Sequence, residues 1–403
     1  MKFPLARTLL AAAIATASVT AQAAPTLEEM WEVIQQQRAE IEALKSQLNK
    51  TDTKLEQTEV KIIATADAVE QTVVSGGAVS QMARWAEKTT LGGYGEHHFN
   101  HKEDKDDQID AHRYVLYVGH QFNDNVRFFS EFELEHSLAG DGKPGEVELE
   151  QAYIEWDYTD NHSVQFGQFL VPVGLMNETH EPDAFYGTER NKVEAEVIPA
   201  TWWEAGVAFN YKPAGGVSID GAVTSGLSVG DDYKIRGGRQ KVANASAENL
   251  AYTARVKYTA INGLELAATA QYQTDVTQGK DGVETAGATL LEAHAIYQVN
   301  NFSVRALYAR WDIDGAEAAD LGRDEQTGWY IEPSYAFNDK VGVFARYAEY
   351  DNNAGNSDAT AVESTSVGVN YYLHENVVLK ADYEDLGGAK DDKGFNLGFG
   401  YQF

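Results

Sequence analysis

The sequence predicts an all-β transmembrane barrel of sixteen antiparallel strands, preceded by an N-terminal coiled-coil helix. Three observations predict this fold class. The chain ends on a strictly alternating strand, the connections between predicted strands alternate in length, and the N-terminal region carries a heptad repeat. A closed barrel hydrogen-bonds every backbone group while only every second residue is apolar, so it crosses a membrane without a long apolar run.

The last nine residues alternate between two faces without a break. Phe395, Leu397, Phe399, Tyr401 and Phe403 form an apolar face, and Asn396, Gly398, Gly400 and Gln402 form a small or polar face. A period of two with one lipid-compatible face is typical of a membrane-barrel strand, although a soluble β-sandwich can also end on one. The aromatic end (Phe399, Tyr401 and Phe403) looks like the assembly signal of bacterial outer-membrane proteins.

The N-terminus has the features of a secretory signal peptide. Lys2 and Arg7 precede an apolar run from Leu9 to Val19, and small residues lead to a cleavage site after Ala23. Residues 1–23 are therefore expected to be removed on export. Beyond them, no stretch approaches the roughly 18 apolar residues that a membrane-spanning helix needs.

Composition excludes several function classes. The chain has no cysteine, which excludes thiol catalysis, disulfide bonds and zinc–thiolate sites. Its net charge of -30 argues against nucleic-acid and anionic-lipid partners and fits long, acidic, exposed loops. The 21 Tyr, 16 Phe and 7 Trp are the residue types that barrels place at both membrane interfaces.

A heptad repeat occupies residues 24–74. Its core positions are Leu27, Ile34, Ile41, Leu48, Leu55 and Ile62, and Val69 continues the register. A strict period of about 3.5 residues favours self-association as a coiled coil over one amphipathic helix lying on a larger body. Residues 75–88, which begin with small and polar side chains, are predicted to be a flexible linker.

Residues 89–403 contain sixteen predicted strands separated by turn chemistry. Seven connections are short and suit tight hairpins, such as Asn123-Asp124 and Asn338-Asp339, and the eight others are longer. Short and long connections alternate, as in bacterial barrels with tight periplasmic turns and long extracellular loops. Pro333 falls inside the predicted twelfth strand, although proline has no N–H to donate to the ladder. Either a bulge at this position or an error in the strand assignment would account for it.

The longest connection and two strands carry the most specific motifs. They are Gly167-Gln168-Phe169-Leu170-Val171-Pro172, Asn177-Glu178-Thr179-His180-Glu181-Pro182, Thr201-Trp202-Trp203-Glu204, Leu91-Gly92-Gly93-Tyr94-Gly95-Glu96 and Glu150-Gln151-Ala152-Tyr153-Ile154-Glu155. Residues 89–403 resemble the phosphate-selective porin O and P family, in the branch with the NETHEP and TWWE motifs. The resemblance implies a trimeric outer-membrane channel whose third loop folds into the lumen as a constriction.

Charged residues suggest where the pore lies. Candidate constriction residues in the third loop are Glu178, His180, Glu181, Asp183, Arg190 and Lys192. The alternative is a solvated surface loop with no role in the pore. Strand alternation also places seven basic residues opposite the apolar rows: Arg113, Arg127, Arg255, Lys257, Arg305, Arg346 and Lys380.

These basic residues have two interpretations that the sequence does not separate. They form a track that favours anions, or they pair with acids on the same lumen faces, namely Glu131, Glu133, Glu155 and Asp382. The fourth loop adds basic residues that could gather anions at the mouth: Lys234, Arg236, Arg239 and Lys241. His97, His98 and His101 lie close together, but spacing fixes no further ligand, so no metal site is assigned.

The favoured function is passive diffusion of small hydrophilic solutes, with anions such as phosphate as one possibility. The expected protein is a homotrimer in the outer membrane of a Gram-negative cell, in contact with lipid and lipopolysaccharide, with its N-terminal helix in the periplasm. No cofactor, catalytic residue or nucleic-acid partner is predicted. Two alternatives stay open: a barrel hydrolase, and a structural anchor that links the membrane to the periplasmic layer.

Overall fold

The computed structural model describes residues 77–103 and 105–403, together with five isolated residues upstream: Trp31, Glu42, Lys45, Lys50 and Lys54. The predicted signal peptide and the core positions of the predicted coiled coil lie outside the described residues. The chain divides into two compact units, Met1–Ala83 and Arg84–Phe403. The second unit contains the barrel.

The described residues of the second unit form sixteen antiparallel strands that close into one barrel, because β1 pairs with both β2 and β16. The strands are β1 (Thr89–Lys102), β2 (Gln108–Asn123), β3 (Val126–Glu135), β4 (Val147–Thr159), β5 (His162–Leu170), β6 (Trp203–Tyr211), β7 (Val217–Thr224), β8 (Ala251–Tyr258), β9 (Leu264–Gln273), β10 (Ala288–Val299), β11 (Phe302–Ile313), β12 (Glu325–Asn338), β13 (Val341–Asp351), β14 (Val362–His374), β15 (Val377–Gly388) and β16 (Asp392–Gln402). The predicted fold class and strand number are confirmed for the barrel.

Connections differ between the two ends of the barrel. At the turn end, five of the seven connections contain two residues, as between β2 and β3. At the loop end lie loop 2 (136–146), loop 3 (171–202) and loop 4 (225–250). The last connection at the loop end, 389–391, is shorter than predicted because β15 and β16 extend towards each other. By the topology of bacterial barrels, the turn end faces the periplasm.

The described part of residues 77–403 contains three short helical segments that are not part of the barrel wall. Helix α1 (Gly77–Glu87) precedes β1, α2 (Val193–Glu196) belongs to loop 3, and α3 (Ala316–Asp320) lies between β11 and β12. Loop 4 contains a 3₁₀ turn, Ile235–Gly238. Helix α1 occupies most of the segment predicted as a linker, residues 75–88, where alanine, glutamine, methionine and arginine are good helix formers.

No helix in the described part of the chain is long and apolar enough to cross a membrane.

The wall has the two faces that the alternating pattern predicts. On β16, Leu397 and Phe399 are exposed on the outside. Asn396, directly before Leu397, is 2% exposed and faces the lumen. The chain end continues the pairing, because Phe403 N donates to Gly93 O and Gly93 N donates to Phe403 O, both at 2.9 Å. The aromatic end of the chain is therefore part of the closed wall.

Two local predictions differ from the structure. The seventh strand, predicted over 216–228, ends at Thr224, because Gly226 turns the chain at φ +81° and Leu227 packs inside the barrel. The alternative of a bulge at Pro333 is wrong, since the β12–β13 register is the same on both sides of it. The register shift lies between Ala336 and Asn338 instead.

Candidate functional site

Loop 3 lies inside the barrel, where four basic side chains of the wall donate hydrogen bonds to its backbone carbonyls. The pairs are Arg113 with His180, Arg305 with Ala184 (3.1 Å), Arg346 with Tyr186 (2.7 Å) and Lys380 with Gly187 (2.9 Å). These donors come from β2, β11, β13 and β15. The loop is therefore held from separate strands of the wall, which an exposed surface loop would not be.

Polar groups on β1 and β15 hold the middle of the loop. The backbone N–H of Thr188 donates to Asp382 Oδ2 at 2.7 Å. The Glu189 carboxylate accepts a hydrogen bond of 3.0 Å from Asn100 Nδ2 and lies 3.1 Å from His98 Nδ1. Both backbone and side chains of loop 3 thus contact the wall.

Glycines on the lumen face of the wall allow this close approach. A Cβ added to Gly400 would lie 2.3 Å from Pro182 Cβ, and one added to Gly342 would lie 2.3 Å from the Tyr186 hydroxyl. A larger residue at Gly400 would push the loop away, whereas one at Gly342 would displace the end of the Tyr186 side chain. The small residues that alternate along the C-terminal strand are therefore required by packing inside the lumen.

The second half of loop 3 forms an apolar core with loop 4 and the wall. Trp202 and Trp311 are fully buried, with ring centroids 6.2 Å apart, and Trp311 Nε1 donates to Val197 O at 3.0 Å. The fully buried Glu194 carboxylate accepts hydrogen bonds from Tyr330 OH at 2.6 Å and from two backbone N–H groups of loop 3. This core fixes loop 3 against β11 and β12.

A cavity of about 740 Å³ lies between loop 3 and the turn end. Its lining includes Glu178 and Arg255, which form an ion pair, and Asp220, whose carboxylate lies 2.7 Å from the Arg255 guanidinium. Lys257 pairs with Glu265 at 3.5 Å in the same cavity. We call this space the turn-side cavity; its wall carries paired charges of both signs.

A second cavity, of about 420 Å³, lies among residues of loops 2, 3 and 4. We call it the loop-side cavity. Its lining includes Arg190 and Lys192 of loop 3 and Arg236 and Arg239 of loop 4. Within the described residues, none of the three guanidiniums forms a salt bridge. The cavity is also lined by seven glutamates: Glu96, Glu135, Glu146, Glu148, Glu150, Glu189 and Glu196.

The structure places the seven predicted basic wall residues on the lumen side, where most of them have acidic partners. The pairs are Arg113 with Glu96 (2.6 Å), Arg127 with Glu155 (2.7 Å) and Asp157, Arg255 with Asp220 and Glu178, Lys257 with Glu265, and Arg346 with Glu332 (2.5 Å). Arg305 and Lys380 donate instead to loop 3 carbonyls. Each of the seven basic residues is therefore paired with an acid or bound to a carbonyl of loop 3.

The six candidate constriction residues do not lie together. Glu178 faces the turn-side cavity, whereas Arg190 and Lys192 face the loop-side cavity. Glu181 and Asp183 are half-buried and line neither of these two cavities in the described structure. The partner of Glu178 is thus Arg255 on the wall, and not a basic residue of its own loop.

His180 is buried against the wall, and the other histidines noted in the sequence diverge. His97 stacks on Phe399 with centroids 4.7 Å apart, His98 faces the lumen between Glu96 and Glu189, and His101 lies 2.6 Å from Asp107.

Sequence reasoning missed the apolar core, although Trp311 breaks the polar pattern of the lumen face and could have indicated it.

A closed sixteen-stranded barrel with its longest loop bound inside the lumen defines the protein as a porin, an outer-membrane channel for small solutes. A sequence model of the phosphate-selective porin O and P family matches residues 92–393, and the chain belongs to this family. A protein of Aquifex aeolicus (strain VF5) is 28% identical over 364 residues, which cover 81% of this chain and 83% of that one.

Solved porin structures share the fold. The anion-selective porin from Comamonas acidovorans has a TM-score of 0.58 at 13% identity, covering 78% of this chain and 99% of that chain. The outer-membrane channel DcaP of Acinetobacter baumannii has a TM-score of 0.53 at 12% identity, covering 78% of this chain and 97% of that chain.

Proposed function

We propose that this porin conducts small hydrophilic solutes passively past loop 3, with a mild preference for anions. The observation that carries the proposal is the attachment of loop 3 to the wall by Arg113, Arg305, Arg346 and Lys380. A solute that crosses the barrel has to pass this loop, because it lies between the turn-side and loop-side cavities.

The anion preference rests on three arginines of the loop-side cavity. Arg190 donates to Thr201 Oγ1 at 2.7 Å, Arg239 donates to Thr201 O at 2.6 Å, and Arg236 donates to Ala200 O at 3.2 Å. Burial and the nearby guanidiniums of Arg236 and Arg190 lower the pKa of Arg239 to about 10. An anion in this cavity would relieve the repulsion among the three charges.

The preference is mild because acids line both cavities. Glu146, Glu148 and Glu189 lie in the loop-side cavity, and Lys241 forms ion pairs with the first two. The turn-side cavity contains balanced pairs. In such a lumen, opposite charges produce transverse electric fields that favour hydrophilic solutes. Neither cations nor anions are strictly excluded.

The test is the reversal potential of single channels in a planar bilayer across a KCl gradient. The variant combines Arg190→Gln, Arg236→Gln and Arg239→Gln, and it should shift the reversal potential towards cation preference. Arg310→Gln is the control, because Arg310 pairs with Asp312 and Glu325 at the rim. An unchanged reversal potential in the triple variant would refute the anion preference.

We further propose that the porin is a homotrimer whose N-terminal segment forms a coiled coil in the periplasm. The heptad over residues 24–74 supports this, together with the family to which the barrel belongs. The exposed apolar rows, such as Leu397 and Phe399, support contact with outer-membrane lipid and lipopolysaccharide. Native mass measurement of the purified protein tests the oligomeric state.

Conductance also separates a channel from the two other classes considered. A barrel hydrolase or a structural anchor has no need of an open path, so the purified wild type would stay closed in a bilayer. A conducting wild type supports the porin. A folded protein that never conducts would favour the anchor, with the N-terminal segment as its link to the periplasmic layer.

A further inference from the structure

A buried cluster joins loop 3 to strands β3 and β4. It consists of Glu131 on β3, Glu150 on β4 and His180 in loop 3, which are 4%, 1% and 3% exposed. One ligand atom from each residue lies within 4.8 Å of the other two. His180 Nε2 lies 3.5 Å from Glu150 Oε2 and 4.0 Å from Glu131 Oε1.

The imidazole of His180 points a lone pair at these carboxylates. Its Nδ1 lies 3.1 Å from the carbonyl oxygen of Asn177, so Nδ1 carries the proton and donates it. In the neutral ring, Nε2 is then an acceptor that faces two further acceptors. His180 Nε2 and Glu150 Oε2 are both buried without a hydrogen-bond partner in the described structure.

Leaving such groups unpaired in a buried site is costly, and a positive species between them would offset this cost. A metal dication would satisfy all three groups at once. A histidine whose other ring N–H donates to a backbone carbonyl is the usual arrangement of a metal ligand.

The backbone supports the carboxylates in this arrangement. The β3–β4 register shifts so that Glu131 lies opposite Gln151 and Phe132 lies opposite Leu149, which leaves Glu150 as a bulged residue. Bulges redirect side chains at functional sites. Both carboxylate oxygens of Glu131 also accept a hydrogen bond, one from Tyr94 OH at 3.2 Å and the other from Gln151 Nε2 at 2.6 Å.

We propose that Glu131, Glu150 and His180 bind a transition-metal dication, Zn²⁺ in the first place, that clamps loop 3 to the wall. Two carboxylates and one imidazole suit Zn²⁺ better than Ca²⁺ or Mg²⁺, which prefer oxygen alone. Tetrahedral Zn²⁺ with bonds of about 2.0–2.1 Å places its ligand atoms about 3.3 Å apart. The distances from His180 Nε2 to the two carboxylates are 3.5 and 4.0 Å, so a small inward movement would complete the site. The buried Glu133 lies on the same strand as Glu131, and its Oε2 also has no hydrogen-bond partner in the described structure.

The experiment uses the full-length porin, purified in detergent and freed of metal with a chelator. Calorimetric titration with ZnCl₂ should show one strong site per chain. His180→Gln and Glu150→Gln should each weaken Zn²⁺ binding at least about tenfold, since even a partner that only orients a ligand is worth that much. His97→Gln is the control, because His97 stacks on Phe399 at the outer face of the barrel.

A second readout keeps the proposal falsifiable if a variant does not fold. Co²⁺ added to the metal-free wild type should produce the visible absorption of a tetrahedral site, and Zn²⁺ should abolish it. Zn²⁺ should also raise the unfolding temperature of the wild type. Absence of both effects, or equal Zn²⁺ affinity in wild type and His180→Gln, would overturn the proposal and leave a buried proton network in its place.

Discussion

Lys380 Nζ on β15 donates a 2.9 Å hydrogen bond to the carbonyl of Gly187 in loop 3 and lies 3.6 Å from the ring centroid of Phe185. The lysine is 4% exposed, and the two residues are 193 positions apart in the chain. A buried ammonium group is thus satisfied by a carbonyl and an aromatic face of the same loop. Lys380 therefore joins β15 to loop 3 through both a hydrogen bond and a cation–π contact.

Replacing this lysine should loosen the attachment of loop 3 to the wall. In Lys380→Met the Gly187 carbonyl loses its donor in a buried place, which should cost about 1–3 kcal/mol of the free energy of unfolding. Single-channel recordings should show more current noise, because loop 3 fluctuates more. Lys393→Met, at an exposed lysine paired with Glu103, is the control. Recordings as quiet as wild type would show that Lys380 does not hold the loop.

A side chain at Gly400 should displace loop 3. In Gly400→Ala the new methyl group would meet Pro182, and such overpacking typically costs about 1–3 kcal/mol. The unfolding temperature should fall and the conductance should change. Gly387→Ala is the matched control, because its Cβ would meet no atom within 4 Å. Equal behaviour of the two variants would contradict the packing of loop 3 on β16.

Charge reversal in the turn-side cavity should change ion selectivity. In Arg255→Glu a third carboxylate joins Glu178 and Asp220, which lose their shared partner. Cations should then be favoured, and the reversal potential in a KCl gradient should shift accordingly. The double variant with Arg127→Glu should shift further. Selectivity equal to that of an Arg310→Glu rim variant would mean that ions do not pass this cavity.

Phe403 should matter for assembly and not for conductance. Its side chain is 57% exposed on the outer face, and its backbone pairs with Gly93. Phe403→Ser keeps the backbone bonds and removes only the ring, so less folded protein should reach the outer membrane. Quantitative blotting of membrane fractions measures this. Normal amounts of a barrel with altered conductance would argue against an assembly signal.

Charges in the heptad should weaken the proposed trimer. Replacing Ile34, Ile41 and Leu48 by Asp would bury three charges in each helix of a coiled coil, at high cost. Chemical cross-linking should show fewer trimers or lower trimer stability than in wild type. Substitution at Glu42, outside the predicted core positions, is the control. A wild type that cross-links only as monomers would refute the trimer itself.

Local sequence was sufficient for the barrel and its faces. The alternation of the last nine residues predicted that Phe399 faces outwards and Asn396 inwards, and the same period placed Arg113 and Arg346 on the lumen side. Alternation is a local property, because successive side chains of any strand point to opposite faces. Turn residues and connection lengths likewise depend on neighbours in the chain, which is why the strand number could be counted.

The tertiary structure alone decided what the lumen residues do. Nothing in the sequence pairs Arg255 with Glu178, joins Lys380 to Gly187, or brings His180 to the bulged Glu150. The closure of the barrel and the path of loop 3 bring these groups together across long sequence separations. Many pairings of a mixed set of acids and bases are compatible with one alternating pattern, and only packing inside the closed wall selects among them.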